Sequence, residues 1–366
     1  MTHHLDARRP VAVYTDADDT DITPGVRLLE AAGYEVRVLG TRDAAEIIAG
    51  ARDAEVLLPG YASITREIID ALPELRIIAL MSMGFDYVDT DAAAERGVWV
   101  TNVPGAATEE VATHALAILL HAVRQLPFYL ASATPGDWNS RADAAPPRLS
   151  ETTLGIVGLG KIGRELARLA GPLFGRVLGY DPLLPDTAAV RDELDGLGVT
   201  RTDLDEVRRS SHVLSLHLPL TPQTERMVDA AFIDGMPQGA VLVNVSRGAL
   251  IDEPALAAAL DRGRLSAAAL DVLSEEPPSP GHPLVGRRDV VLTPHIAYFS
   301  ARTEIEYVRI QAQNAVALRE TGAPEAPVNR PVVAPPGTTP GRTPGTTPGS
   351  APGRTPDAAS ERTQRS

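Results

Sequence analysis

Three polar side chains stand where runs of apolar β-formers give out: Arg247 after VLVNVS, Glu276 in LDVLSEEP and His295 in LTPHIA. An arginine cannot shed its proton at the mouth of a buried strand, so it calls for an anion, either a neighbouring side chain or one arriving from solution. A histidine of near-neutral pKa can take a proton from a secondary alcohol as its hydride leaves, or return it in reduction. A carboxylate beside it would favour the imidazolium and hold the ring. Arginine offers a forked donor to a carboxylate and to the adjacent carbonyl oxygen. Together the three describe interconversion of a 2-hydroxy acid and a 2-oxo acid. Each also has a plainer reading: Arg247 bridging to Asp252 or Glu253, Glu276 as a solvated loop acid like Glu275, and His295 as a core histidine after a proline.

A second constellation lies upstream. Gly158, Gly160 and Gly163 form GLGKIG, between the strand pattern TLGIV and the helical pattern RELARLA. The first glycine permits a tight turn, the second lets backbone approach a pyrophosphate, and the third lets helix pack on strand, with the helix N-terminus facing the phosphates. The next strand, VLGYD, ends in Asp181, about twenty residues on, where a carboxylate can bind the adenosine ribose hydroxyls and repel a 2′-phosphate. NAD is therefore expected over NADP. The plainer alternative is an ordinary glycine-bearing turn followed by a surface aspartate. Lys161 reads as a phosphate-side or solvent residue.

These residues need a frame to bring them together. VAVYT (11–15), EVRVLG (35–40), EVLLPG (55–60), RIIAL (76–80) and VWVTN (98–102) read as strands, with helices around 24–32, 65–72 and 90–96 between them. Strand and helix in alternation predict a parallel sheet covered on both faces. Residues 107–132 read as one long helix bridging two units, its His114 and His121 taken as packing or surface residues with nothing nearby to pair with them. The second unit continues through RVLGYD, HVLSLHLPL, AVLVNVS, SAAALDVL and VVLTPH, near-continuous apolar strands suited to a sheet buried on both faces. The helical stretch SARTEIEYVRIQAQNAVALRE is expected to pack back on the first unit, leaving a cleft between two lobes. In such sheets ligands gather beyond the carboxyl ends of the strands, where the polar trio lies. From about Pro331 the chain recycles Pro, Gly and Thr and is expected to be a disordered tail.

Composition narrows the chemistry further. The chain of 366 residues has no cysteine, which excludes disulfides, thiol nucleophiles and thiolate zinc sites; no metal is expected. Lys161 is the one lysine, so Schiff-base chemistry has a single candidate. A formal charge of −14 disfavours nucleic acid as a partner. Neither a membrane span nor a signal peptide is legible, and a cytoplasmic location is the default.

GLGKIG, GYDP, LHLPLTPQT, NVSRGALID, ALDVLSEEP and TPHIA resemble, in order and at matching spacing, the D-isomer-specific 2-hydroxyacid dehydrogenases over about residues 10–325. The resemblance implies an α/β fold of two doubly wound parallel sheets. A flavodoxin-like substrate domain would span residues 1–103 and be completed by 297–330; a Rossmann NAD-binding domain would span 104–296, with the tail at 331–366. It implies Arg247 as substrate-carboxylate binder, His295 as acid/base and Glu276 as its partner. It further implies NAD contacts at Thr108, Gly158, Gly160, Lys161, Ile162, Gly163, Asp181, Leu218, Pro219, Val245, Ser246, Arg247 and Asp271. Substrate-binding amides would lie at Met83 and Gly84 in MSMGFDYVD. Relatives that oxidise phosphite carry a lysine where Met83 stands, which disfavours phosphite. GFDYVD, TNVPGAATEEVA and AYFS are similar to the branch of the C-terminal-binding-protein corepressors and their bacterial relatives, departing from the glycine-rich stretch that often follows the histidine in phosphoglycerate dehydrogenases. The implied activity is NAD-dependent oxidation or reduction of a small D-2-hydroxy or 2-oxo acid by a homodimer. The alternative is an NAD(H)-sensing, corepressor-like binding protein with little turnover.

Overall fold

The computed structural model describes residues 8–332 apart from 18–19, 134–135, 137, 139–140 and 143–144, so the expected tail lies outside the described residues beyond Val332. Its first sheet has strands β1 (Val11–Tyr14), β2 (Glu35–Val38), β3 (Ala54–Leu58), β4 (Ile77–Ala79) and β5 (Trp99–Thr101), in the order β2-β1-β3-β4-β5. Helices α1 (Thr23–Ala31), α2 (Ala44–Gly50), α3 (Arg66–Ala71) and α4 (Thr90–Glu95) alternate with them. Every ladder is parallel, the flavodoxin-like order. Strands β1, β3 and β4 are buried almost throughout, whereas the edge strand β2 is half-exposed and blunts its edge with Glu35 and Arg37, the latter tied to Asp53.

The second sheet has strands β6 (Thr153–Val157), β7 (Arg176–Tyr180), β8 (Val199–Arg201), β9 (Val213–Leu216), β10 (Ala240–Asn244), β11 (Leu265–Leu270) and β12 (Val290–Leu292), ordered β12-β11-β10-β9-β6-β7-β8. It is parallel, and the direction of winding reverses between β6 and β9. This is the Rossmann arrangement, and the crevice at that reversal is where a dinucleotide binds. Around it lie α5 (Thr108–Val123), α6 (Leu126–Ser132), α7 (Lys161–Ala170), α8 (Ala188–Gly196), α9 (Leu204–Ser210), α10 (Ala230–Asp234) and α11 (Glu253–Asp261). The final helix, α12 (Ala301–Thr321), begins with Ser300 and Thr303 in a capping box. It returns to the first sheet, where Gln311 donates to the carbonyls of Pro59 and Ala79, at 3.1 and 2.9 Å.

The helix expected over 107–132 is two helices. Gln125 takes the left-handed conformation (φ 55°), Pro127 follows in the first turn of α6, and the axes bend by 61°. The proline has no amide hydrogen to continue the first helix, so the chain restarts at the turn. No single helix among the described residues is long and apolar enough to cross a membrane; the bent α5–α6 pair passes by length and composition, but α5 is largely buried between α7 and the second sheet. Two elements carry no strong signal in the sequence: α2, seven residues that bury only Ile47, and the three-residue edge strand β8.

Candidate active site

The crevice is built from loops at the carboxyl ends of strands. At the end of β6, Gly158 has φ +96° and a side chain there would strike the His217 carbonyl at 2.2 Å, so β6 and β9 meet backbone to backbone. A Cβ on Gly163 would lie 2.0 Å from the Gly158 carbonyl, which fixes α7 against the turn. At Gly160 nothing lies within 4 Å. That open backbone, at the N-cap of α7, fits a pyrophosphate approaching the helix start. Asp181 at the end of β7 accepts the amides of Leu159 and Leu183, both at 2.9 Å, so its carboxylate lies beside the same turn. Lys161 reaches from α7 toward Gly105, with Nζ 2.8 Å from where a Cβ there would lie. Thr108 begins α5 and its hydroxyl donates to the Gly105 carbonyl. Ile162 packs at the edge of the large core under the second sheet.

Loops after β9 and β10 close the crevice. Leu218 lies against Gly158, Pro219 accepts a hydrogen bond from the Thr224 hydroxyl, Val245 is buried, and the Ser246 hydroxyl donates to the Leu216 carbonyl at 2.9 Å. His217 is neutral: burial pushes its imidazole down to about 4, its Nε2 meets the Ser215 hydroxyl at 2.8 Å, and its Nδ1 has no partner.

Arg247, Glu276 and His295 follow β10, β11 and β12, three neighbouring strands. A Cβ on Gly248 would strike the Leu273 backbone at 1.9 Å, so the arginine loop packs directly on the loop leading to Glu276. The Glu276 carboxylate binds His295 Nδ1 at 2.6 Å with one oxygen and the Leu273 amide at 2.8 Å with the other. Burial opposes its ionisation. The His295 hydrogen bond and charge, the Leu273 amide and the Arg247 charge outweigh that and hold the carboxyl below its usual range. Arg247 is thus close enough for its field to reach the pair.

His295 has φ +52°, a strained conformation for a non-glycine residue. Asp271, 1% exposed, holds it there. Its carbonyl accepts the His295 amide at 2.7 Å, and its carboxylate accepts the amides of Ile296 and Ala297 and the Thr293 hydroxyl. His114 on α5 supports the arrangement, with Nε2 2.9 Å from the Thr293 hydroxyl and 3.5 Å from Asp271. The expectation that nothing pairs with His114 is therefore corrected: its partners lie far along the chain.

The partner of Arg247 also differs from expectation. Its Nε donates to Asp86 of the other lobe at 2.9 Å and its Nη1 to the Ser246 carbonyl at 2.8 Å. The anion that meets Arg247 is thus a side chain, Asp86. The plainer candidates are engaged elsewhere, Asp252 capping α11 and Glu253 binding the Ser274 amide and His282. The guanidinium lies across Gly84, where a Cβ would sit 1.4 Å from Nη2, so a side chain at that position would displace it. Met83 in the same loop is held by its carbonyl, which accepts the Asn102 side-chain amide at 2.7 Å. Gly84 and Arg247 thus meet where the two lobes come together. Asp86 stands in the quoted loop sequence, but nothing in its spacing ties it to Arg247.

Fold and site define a two-lobed α/β protein with a Rossmann dinucleotide crevice beside a strand-end polar trio. The family model for the D-isomer specific 2-hydroxyacid dehydrogenase NAD binding domain matches residues 116–297, and a glyoxylate reductase of Aeropyrum pernix is 35% identical over 297 residues, 78% of this chain and 86% of that protein. The chain belongs to the D-isomer-specific 2-hydroxyacid dehydrogenase family. A D-3-phosphoglycerate dehydrogenase of Archaeoglobus fulgidus is 34% identical over 304 residues, 83% of this chain but 56% of that protein, so the chain spans little more than half its length. The solved D-lactate dehydrogenase of Aquifex aeolicus, complexed with NAD and lactic acid, is similar with TM-score 0.74 and 26% identity, covering 84% of this chain and 95% of that one. These relatives are enzymes, and they lend no support to the corepressor-like alternative.

Proposed function

We propose that this protein reduces a small 2-oxo acid, or oxidises the matching D-2-hydroxy acid, with NAD(H) as its coenzyme. The observation that carries the reading is the 2.6 Å His295–Glu276 pair set beside Arg247 at three adjacent strand ends. NAD, when bound along the Gly158–Gly163 turn, supplies or accepts the hydride. Thr108, Lys161, Ile162, Leu218, Pro219, Val245, Ser246 and Asp271 would line or support that cleft. The position of Asp181 beside the turn supports NAD over NADP, since its charge opposes a 2′-phosphate.

Arg247 keeps N–H groups beyond those given to Asp86 and Ser246, and these would hold the substrate carboxylate with the backbone amides of Met83 and Gly84. His295, with Nδ1 fixed on Glu276, would use Nε2 to protonate the carbonyl oxygen in reduction and to take the proton back in oxidation. Glu276 fixes the orientation and tautomer of the ring. The lobes close over the acid and exclude water.

The test is NADH consumption with glyoxylate, hydroxypyruvate, pyruvate and longer 2-oxo acids, with His295→Gln as control. The variant is expected to lose about 10²- to 10⁴-fold in kcat on the true substrate. Unchanged turnover would reject His295 as the proton donor. A cytoplasmic homodimer is the accompanying reading, carried over from the family.

A further inference from the structure

Resting on that reading, we infer that the acid this site accepts carries one negative charge only, its carboxylate, and an uncharged group beyond C2; phosphorylated 2-oxo acids are disfavoured. The first-lobe wall of the cleft is the loop after β3, residues 59–63, of sequence PGYAS and without a basic residue. Its amides would form a concavity for an external anion. Here an internal anion fills it. The Asp16 carboxylate, 3% exposed at the end of β1, accepts the amides of Gly60, Tyr61 and Ala62 at 3.0, 2.7 and 3.3 Å. Arg42 is drawn onto the same carboxylate at 3.2 Å and lies 4.9 Å over the Tyr61 ring.

This wall adjoins the reacting groups. The Tyr61 hydroxyl meets that of Tyr298, three residues past His295, at 3.1 Å. Tyr87 lies between Asp16 and Arg247: its hydroxyl bonds Ser82 at 2.8 Å and reaches the Gly60 carbonyl at 3.5 Å, while Ser82 bonds the Gly84 carbonyl beneath the arginine. Burial pushes the Tyr87 phenol up to about 12; the Asp16 charge adds to the rise and the Arg247 charge opposes it, as expected of a group within reach of both. Beyond the carboxylate site, a substrate therefore meets phenols that satisfy one another and loop amides and an arginine already engaged by Asp16, a wall whose donors are spent on an internal anion and which offers a phosphate no matching charge.

The experiment measures kcat/KM of the full chain with NADH for glyoxylate, pyruvate and hydroxypyruvate against 3-phosphohydroxypyruvate, and repeats it with Tyr61→Arg. The best unphosphorylated acid is expected to exceed the phosphorylated one by on the order of tenfold to a hundredfold. Tyr61→Arg, which adds a cation to the wall, should narrow that ratio by improving KM for the phosphorylated acid. Equal or better use of 3-phosphohydroxypyruvate by the wild type overturns the inference while leaving the proposed function standing. So does a ratio unmoved in a Tyr61→Arg protein that still reduces the unphosphorylated acids. If the wild type binds NADH and reduces none of the acids, the proposed function fails and this inference with it.

Discussion

At the scale of single residues, the chemistry depends on an imidazole held by an ionised carboxylate. Glu276 binds His295 Nδ1 at 2.6 Å and its carboxyl lies below its usual range, so the pair orients the ring and leaves Nε2 to exchange a proton. Reduction needs that proton. Glu276→Gln is therefore expected to lower kcat for reduction by about tenfold or more at neutral pH while NADH binding, read by fluorescence, stays the same; an unchanged kcat would remove Glu276 from the proton-transfer step. The trio was legible in the sequence because each member ends an apolar run. Its supports were not: Asp86 lies 161 residues from Arg247, and His114 lies 179 from Thr293. A pairing made only by the closing of a sheet leaves no trace in local spacing.

At the scale of elements, the strands that carry the site were readable because their interiors are apolar almost without interruption, as in the AVLVN of β10, buried at all five positions. Short pieces with little to bury, α2 and β8, gave no comparable pattern. The break after α5 has a sequence cause, Pro127, outweighed in a reading that followed the apolar run through it. That break throws α6 outward, leaving Leu126 and Leu130, one turn apart, at 40% and 66% exposure. If a second copy covers this face in the proposed homodimer, Leu130→Glu should shift the wild-type dimer toward monomer by sedimentation or light scattering. A dimer that persists at the same concentration places the interface elsewhere.

At the scale of the whole molecule, the two lobes meet through polar contacts, Arg247 with Asp86 and the start of α12 with α5 by the Ser300–Glu110 hydrogen bond, and through apolar residues such as Met83 and Tyr307 that pack against the core of the second lobe. Stability should respond to acid through His217, half-buried and held neutral with its Nδ1 out of water where the second lobe's two central strands meet. Its pKa falls from 6.5 to about 4 on folding, so the unfolded chain binds the extra proton between those values. The contribution is full above pH 6.5 and lost as pH falls toward 4, up to about 3 kcal/mol. Melting temperatures measured from pH 7 to 4.5 should fall, and less steeply for His217→Asn. Equal slopes would show that carboxylates alone govern the decline.

The sequence by itself determined the α/β class, the nucleotide turn and the strand-end trio, because apolar periodicity and glycine spacing are local consequences of backbone geometry. Only the tertiary structure decided which side-chain anion meets Arg247, which groups brace His295, and that the loop after β3 spends its amides on Asp16. Those choices depend on distances between segments far apart in the chain, and folding alone brings them within reach.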